Sequence, residues 1–420
     1  MIPSLSAAVT GIDANQTMLD VAANNIANVN TTGFQASEVQ FADLLNQQIV
    51  GATAPTVLTG GTNPVMVGSG TKVVANEISF AQGTIQQTGQ PSDVAIQGNG
   101  FLVVNQGGQN FYTRDGNLSL NALGQLETST GALVQGWLPG ANGVINPNGP
   151  TAPIVIPQGQ VEQPQQTTQV QMTGNLPAND TQTPIDVTVT TYDALGNTVP
   201  LQLTFTPQGN DTWQLSGTDV NTGAALWPAG ALPTLTFTNG QLTAVSGANG
   251  TAAAGFTLPV ANSPFANGAA PTLFFPPDTS TTAVTQYAGN QTIEAPSQNG
   301  YPSGTLESYS IGSDGVISGT YSNGQTQSLG QIALAGFANE EGLARIGNNV
   351  YQATVASGPA QVGVPGAGGR GTLIGGSLEG SNVNLGTELT NLIIAQNAYQ
   401  ANTKVVTTTD QVLQALENMP

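Results

Sequence analysis

Both ends of the chain carry apolar residues at intervals of seven. Leu5, Ile12, Leu19 and Ile26 mark the N-terminal set, and Leu392, Tyr399, Val406 and Leu413 the C-terminal one. A seven-residue repeat keeps one narrow stripe of a helix turned toward a partner. At a chain end only another helix can cover such a stripe, either the chain's own second terminus or a neighbouring subunit. Leu385, Leu389 and Leu416 extend the C-terminal set, and the eleven residues together are the candidate polymerisation interface. Ser4 is the expected N-cap of the first helix, and Asn384 that of the second, with Glu388 in its first turn where a negative charge complements the helix dipole.

Between the helices the period changes to two. Ile185, Val187 and Val189 alternate with polar residues, as do Leu201, Leu203 and Phe205, with Ala194-Leu195-Gly196-Asn197 as a turn between them. Asn239-Gly240 between Phe237 and Leu242 is a strong hairpin signal. Gln97-Gly98-Asn99-Gly100, flanked by Val94-Ala95-Ile96 and Phe101-Leu102-Val103-Val104, has the composition of a tight turn between strands. Gly33 provides a stop, and residues from about 34 to 72 are expected to form a connector of extended segments, although Phe34 to Val50 also allows a short helix or irregular structure. The expected fold is mainly β, in nested discontinuous domains, with the terminal helices pairing as a coiled-coil-like core. Residues 1–30 and 383–420 form the helical part, 31–73 and 356–382 connect, 74–148 and 290–355 form one β-domain, and 149–289 form a second one inserted into it.

The surface chemistry is unusual. Charged residues make up only 7% of the chain, against about 25–35% on the surface of a free-standing domain, which points to extensive contacts between copies. The net charge is −19. Lys72, Arg114, Arg345, Arg370 and Lys404 are too scattered to neutralise a phosphate backbone or an anionic membrane surface, so neither is an expected partner. No apolar run reaches the roughly 20 residues that cross a bilayer, so membrane insertion is not expected either. With no His and no Cys, the histidine-based triads and the common zinc sites are excluded. Glu340-Glu341 would point to opposite faces of a strand. Gly366 to Gly371 fits G-x-G-x-x-G, but Thr372-Leu373-Ile374 follows where a dinucleotide site needs a helix. Asp314-Gly315 lacks the further carboxylates of a calcium loop. No enzyme activity and no cofactor is expected.

Four stretches resemble one family. Ala23-Asn24-Asn25-Ile26-Ala27-Asn28-Val29-Asn30-Thr31-Thr32-Gly33-Phe34 is similar to the N-terminal signature of the flagellar rod and hook axial proteins. Ser92 to Phe101 with Tyr112-Thr113-Arg114-Asp115-Gly116 and Gly136-Trp137 resembles the first half of their shared β-domain, and Phe337 to Leu343 its second half. Leu378-Glu379-Gly380-Ser381-Asn382-Val383-Asn384-Leu385 and Ala395 to Asn402 resemble the C-terminal signature. Distal rod members lack a large central insertion, so residues 149–289 point to the hook branch.

The resemblance implies a self-assembling, curved helical tube outside the cell that transmits motor torque from rod to filament, exported by the flagellar type III apparatus without a cleaved signal peptide. It implies as partners other copies of the chain, the distal rod protein, the hook cap, the hook-length control protein and the hook-filament junction proteins. A distal rod subunit is the nearest alternative. A secreted β-rich carbohydrate-binding adhesin is a second alternative, of a different class, and would need Trp137, Trp213 and Trp227 on an open face.

Isolated helices gain too little from propensity to offset the cost of nucleation. The terminal helices are therefore expected to order on assembly. Hydrogen exchange on the full-length monomer should find residues 385–416 unprotected before polymerisation; strong protection there would contradict this.

Overall fold

The computed structural model describes residues 2–55, 60–140, 143–159, 161–179, 183–265 and 268–417, with the side chains of Ile2, Pro3, Leu416 and Glu417 outside the description. The chain divides into two compact units, one of residues 1–158, 309–319 and 327–420, the other of 159–308 and 320–326.

In the first unit, helix α1 (Ile2–Ala27) packs on helix α2 (Leu385–Glu417). The pair is antiparallel, because Gly11 lies against Asn402 while Asn25 hydrogen-bonds Glu388. Small residues are among those buried along the two helices. Ala8, Gly11, Ala22 and Ala395 are buried, and a Cβ on Gly11 would stand 2.7 Å from the Asn402 amide nitrogen. Helix α1 begins at Ile2, so Ser4 lies inside its first turn and is not the cap; a proline at position 3 is compatible because first-turn N–H groups have no helical acceptor. Asn384 does cap α2, its Oδ1 accepting from Gly386 N at 3.0 Å and Thr387 N at 3.2 Å.

The segment after α1 is extended, as expected of the connector. Strand Ser37–Asp43 pairs antiparallel with Thr71–Ile78, and Asn46–Val50 with Val65–Gly68. Alternation of half-buried and exposed residues in Ser37–Asp43 is a strand's period of two, which a short window had left ambiguous.

The β-domain of this unit centres on Phe101–Gln106, which pairs with Gln109–Thr113, Leu133–Trp137 and Leu334–Gly336. Val94–Gln97 pairs with Thr372–Gly375 instead of returning along Phe101–Gln106. Gln97–Gly100 is therefore no hairpin. Gly98 and Gly100 have φ near +104° and +123°, a positive-φ conformation that favours glycine, where the chain passes from one sheet to the next. Aromatic rings fill the core edge-to-face: Phe80 on Phe101 at 5.4 Å, Phe101 on Tyr351 at 5.7 Å, and Tyr112 on Phe337 at 4.8 Å.

The second unit is a mixed, mainly antiparallel sheet whose register follows the apolar pattern. Ile185, Val187 and Val189 stand opposite Phe205, Leu203 and Leu201, so all six enter one core with Trp213 and Leu215. Asn239 and Gly240 take φ of 53° and 79° and close the hairpin Thr234–Thr238 to Gln241–Val245. Asp193 Oδ1 holds the turn after Tyr192 by accepting from Leu195 N and Asn197 N. Strand Glu294–Gln298 pairs with Gln169–Asn175.

A fragment of residues 159–326 is expected to be a soluble monomer with a β-type circular dichroism spectrum, whereas 149–289 lacks the Glu294–Gln298 strand and should unfold at lower denaturant concentration. Equal midpoints would contradict that. Within the full chain, Phe205→Ala should cost roughly 3–5 kcal/mol.

Candidate assembly surface and the junction that carries it

The signature motifs converge on a buried junction between the helix pair and the β-domain. Its centre is Arg114, whose Nη1 lies 3.3 Å from Glu379 Oε1, with the two side chains 1% and 0% exposed. Arg114 Nη2 donates to the Gly98 carbonyl at 2.8 Å, and its guanidinium stands 5.6 Å from the Phe101 ring centroid. Glu379 belongs to strand Ser377–Glu379, which pairs with Ile85–Gln87. Its carboxylate accepts from Gly83 N at 3.0 Å, and its backbone carbonyl accepts from Gly33 N at 2.8 Å.

Gly33 explains why the N-terminal motif ends in glycine. With φ at +63° and an ideal Cβ only 2.7 Å from the Arg114 carbonyl carbon, no side chain fits. On either side of it, Thr32 Oγ1 donates to Asp115 Oδ1 at 3.0 Å, and the Thr32 carbonyl accepts from Asn349 Nδ2 at 2.8 Å. Phe34 lies under the Arg345 guanidinium, 4.7 Å from ring centroid to Cζ. Arg345 Nη2 also donates to the Gln35 carbonyl and, at 3.2 Å, to Tyr351 Oη. Asn25 and Asn382 clamp the backbone: Asn25 exchanges two bonds with Ser37, and Asn382 accepts from Ala36 N while facing the Ser79 and Ala81 carbonyls.

Below the junction, Glu388 borders a cleft of about 270 Å³ with Glu38, Asn384 and Asn391. Burial pushes its carboxyl above the ordinary value; Asn25 opposes the rise and Glu38 adds to it. A carboxyl raised on folding favours the docked helix at low pH and loses that contribution as pH rises through its folded value.

The expected interface residues fall on two faces. Leu5, Ile12, Leu19 and Ile26 are half-buried, as are Leu392, Tyr399 and Val406 on the side of α2 toward α1. Leu385, Leu389 and Leu413 are exposed. The side chain of Leu416 lies outside the described residues. Ile393, Ile394, Val405 and Val412 are also exposed; counting in sevens misses them because they lie off the stripe, and at about 100° per residue Ile394, Val405 and Val412 fall on the far side of the helix from Leu392. Leu45, Ile49 and Met66, on or beside the strand pair Asn46–Val50 and Val65–Gly68, add further uncovered apolar area.

The other motifs do not build a chemical site. Glu340 and Glu341 lie in a single 3₁₀ turn, Glu340–Gly342. The Gly366–Gly371 loop is closed by its own backbone and followed by strand Thr372–Gly375. Trp137, Trp213 and Trp227 are all buried, so they offer sugar no stacking face. Among the described residues no cluster of three metal-ligating side chains occurs, and no helix is long and apolar enough to cross a membrane.

Four family models match the chain in order: flagella basal body rod protein over residues 5–35, flagellar hook protein FlgE/F/G D1 domain over 95–178, flagellar basal body protein FlaE D2 domain over 163–301, and flagellar basal body rod FlgEFG protein C-terminal over 374–419. The chain is 37% identical to the flagellar hook protein FlgE of Treponema pallidum (strain Nichols), covering 98% of both chains. It belongs to the flagellar hook protein family. The hook protein FlgE of Salmonella typhimurium (strain LT2) is also 37% identical, over 99% of this chain and 100% of that one. A Bacillus subtilis (strain 168) protein named flagellar basal-body rod protein FlgG matches at 28% over 100% of this chain and 99% of its own length, so overall length does not by itself separate rod from hook members. The fold is shared with the Helicobacter pylori flagellar hook protein FlgE2 at a TM-score of 0.50 and 16% identity, covering 69% of this chain and 98% of that one. In this hook-family chain the conserved-looking motifs thus hold a joint in place.

Arg114→Met should destabilise the unit by roughly 3–5 kcal/mol, since it leaves the Glu379 carboxylate buried and uncompensated. Denaturant unfolding of the full chain measures this; a loss under about 1 kcal/mol would mean that the pair behaves as a solvated one.

Proposed function

We propose that the chain is the structural subunit of the bacterial flagellar hook, assembling with copies of itself into a curved helical tube that acts as the flexible joint between rod and filament. The observation that carries this reading is the combination of a helix pair with uncovered apolar side chains and a buried junction joining that pair to the β-domain. Identical subunits joined through different patches build open helical polymers when the rotation does not close.

In this reading the helical segments 1–30 and 383–420 form the core of the tube, 31–73 and 356–382 connect, 74–148 and 290–355 form the shared β-layer, and 149–289 lie outermost. Leu5, Ile12, Leu19, Ile26, Leu385, Leu389, Leu392, Tyr399, Val406, Leu413 and Leu416 serve the contacts within and between copies. The distal rod protein and the hook-filament junction proteins bind the two ends of the tube, and the cap and length-control proteins act during its growth. The flagellar type III apparatus delivers the chain to the cell exterior. Function resides in subunit contacts and requires no turnover.

Burying each large side chain contributes about 1.5–3 kcal/mol, so a charge placed on the outward face of α2 should be decisive. Ile393→Asp is expected to abolish tubes seen by electron microscopy while leaving the β-type circular dichroism signal unchanged. Tubes in normal number from that variant would overturn the assignment of this face.

A further inference from the structure

The buried pair at the junction is incompletely made. Arg114 and Glu379 share one contact of 3.3 Å, while Arg114 Nη2 is engaged by the Gly98 carbonyl. Glu379 Oε2 and Arg114 Nε are buried and have no protein partner. A guanidinium and a carboxylate normally close two parallel bonds, and an idle buried carboxylate oxygen is costly. The bond from Nη2 to Gly98 keeps that nitrogen from Glu379 Oε2, while Oε1 also accepts from Gly83 N. Gly98 is partly exposed and sits in a glycine-only conformation, so its carbonyl can exchange the guanidinium for water. Glu340, half-buried on its 3₁₀ turn, also lies in the field of Arg114, so the guanidinium is drawn toward a second carboxylate.

We propose that Arg114 and Glu379 form a latch with two settings. In the first, Nη2 holds the Gly98 carbonyl and Glu379 is bound through one oxygen. In the second, the Gly98 carbonyl turns to solvent and the Glu379 carboxylate swings to bring Oε2 onto the freed Nη2, so that the pair closes on both oxygens. The exchange is transmitted because Glu379 also anchors Gly83 N through its carboxylate and Gly33 N through its backbone carbonyl. The strand Ser377–Glu379 and the chain passes at Gly33 and Gly83 therefore shift with the carboxylate, and two of these segments lead directly into the helices. The inference rests on the hook reading. A subunit in a curved tube that turns about its own axis passes from the inside to the outside of the bend once per turn. Two settings of similar energy at the junction let its length change without opening the aromatic core.

The test replaces the pair with apolar residues, Arg114→Met together with Glu379→Leu, in full-length hooks on cells. Such a swap is often neutral or stabilising because no charge is left unpaired. The expected result is hooks of parental unfolding temperature whose bending stiffness, read from the thermal motion of a bead attached beyond the hook, rises several-fold. A purely structural pair predicts unchanged stiffness, and that result overturns the proposal. Should the double variant fail to assemble, a second variant decides: Leu378→Cys with Gln86→Cys joins cross-strand partners in a chain without native cysteine. Oxidised hooks should be stiff and reduced ones parental; equal stiffness in both states overturns the latch. Failure of the unsubstituted chain to form tubes would instead contradict the hook reading itself.

Discussion

A buried guanidinium and a buried carboxylate tie together four distant parts of the chain. Arg114 comes from the β-domain and Glu379 from the strand that leads into the second helix, while Gly33 and Gly83 bind the same glutamate. Removing two charges from water costs several kcal/mol for each ion, and that cost is offset only while all the partners are in place. The junction is thus cooperative: displacing either connector exposes the charge of the other. The orientation of the helix pair relative to its β-domain follows from this constraint.

The scarcity of charge elsewhere fits the same plan. Arg114 and Arg345 are used inside the junction, and Arg370 donates to the Val364 and Gln361 carbonyls of its own loop. Lys72 and Lys404 are exposed. Many acidic residues serve turns, as Asp193 does, and the remaining polar surface is largely amide and hydroxyl. Such a surface can be brought against a copy of itself without opposing dense like charges, which suits a polymer better than a free monomer.

The legible parts of the fold are those governed by local periodicity and local hydrogen bonding. Alternation in Ile185–Val189 and Leu201–Phe205 set the register correctly, because a slip of one residue would turn each apolar side chain to water. Asn239-Gly240 acted through its own backbone and Asn384 through a side-chain oxygen on the adjacent backbone, as turn and cap chemistry requires. Long-range partners were not legible. Gln97–Gly100 has hairpin composition, yet Val94–Gln97 pairs with a strand some 275 residues away, whose affinity for it no local window contains. The helix contact was equally hidden: Gly11, a residue that carries no hydrophobic signal, meets Asn402 there and matters because it lets the helices approach. Gly11, weak for a helix by propensity, is there for packing against Asn402. The motifs around Asn25, Arg114, Glu379 and Asn382 were recognisable as family signatures, but their meeting in one buried junction was not, since ion pairing across hundreds of residues leaves no spacing to read.

Assembly then requires that what the single chain leaves open be closed by its neighbours while the junction stays intact. A cryo-EM map of the polymer formed by the full-length chain is the most direct measurement. The account predicts that Leu389, Ile393, Ile394, Val405 and Val412 lie against helices of other copies, with Arg114 still bound to Glu379 in every subunit. A map in which those side chains face water, or in which Arg114 and Glu379 are separated and solvated, would contradict it.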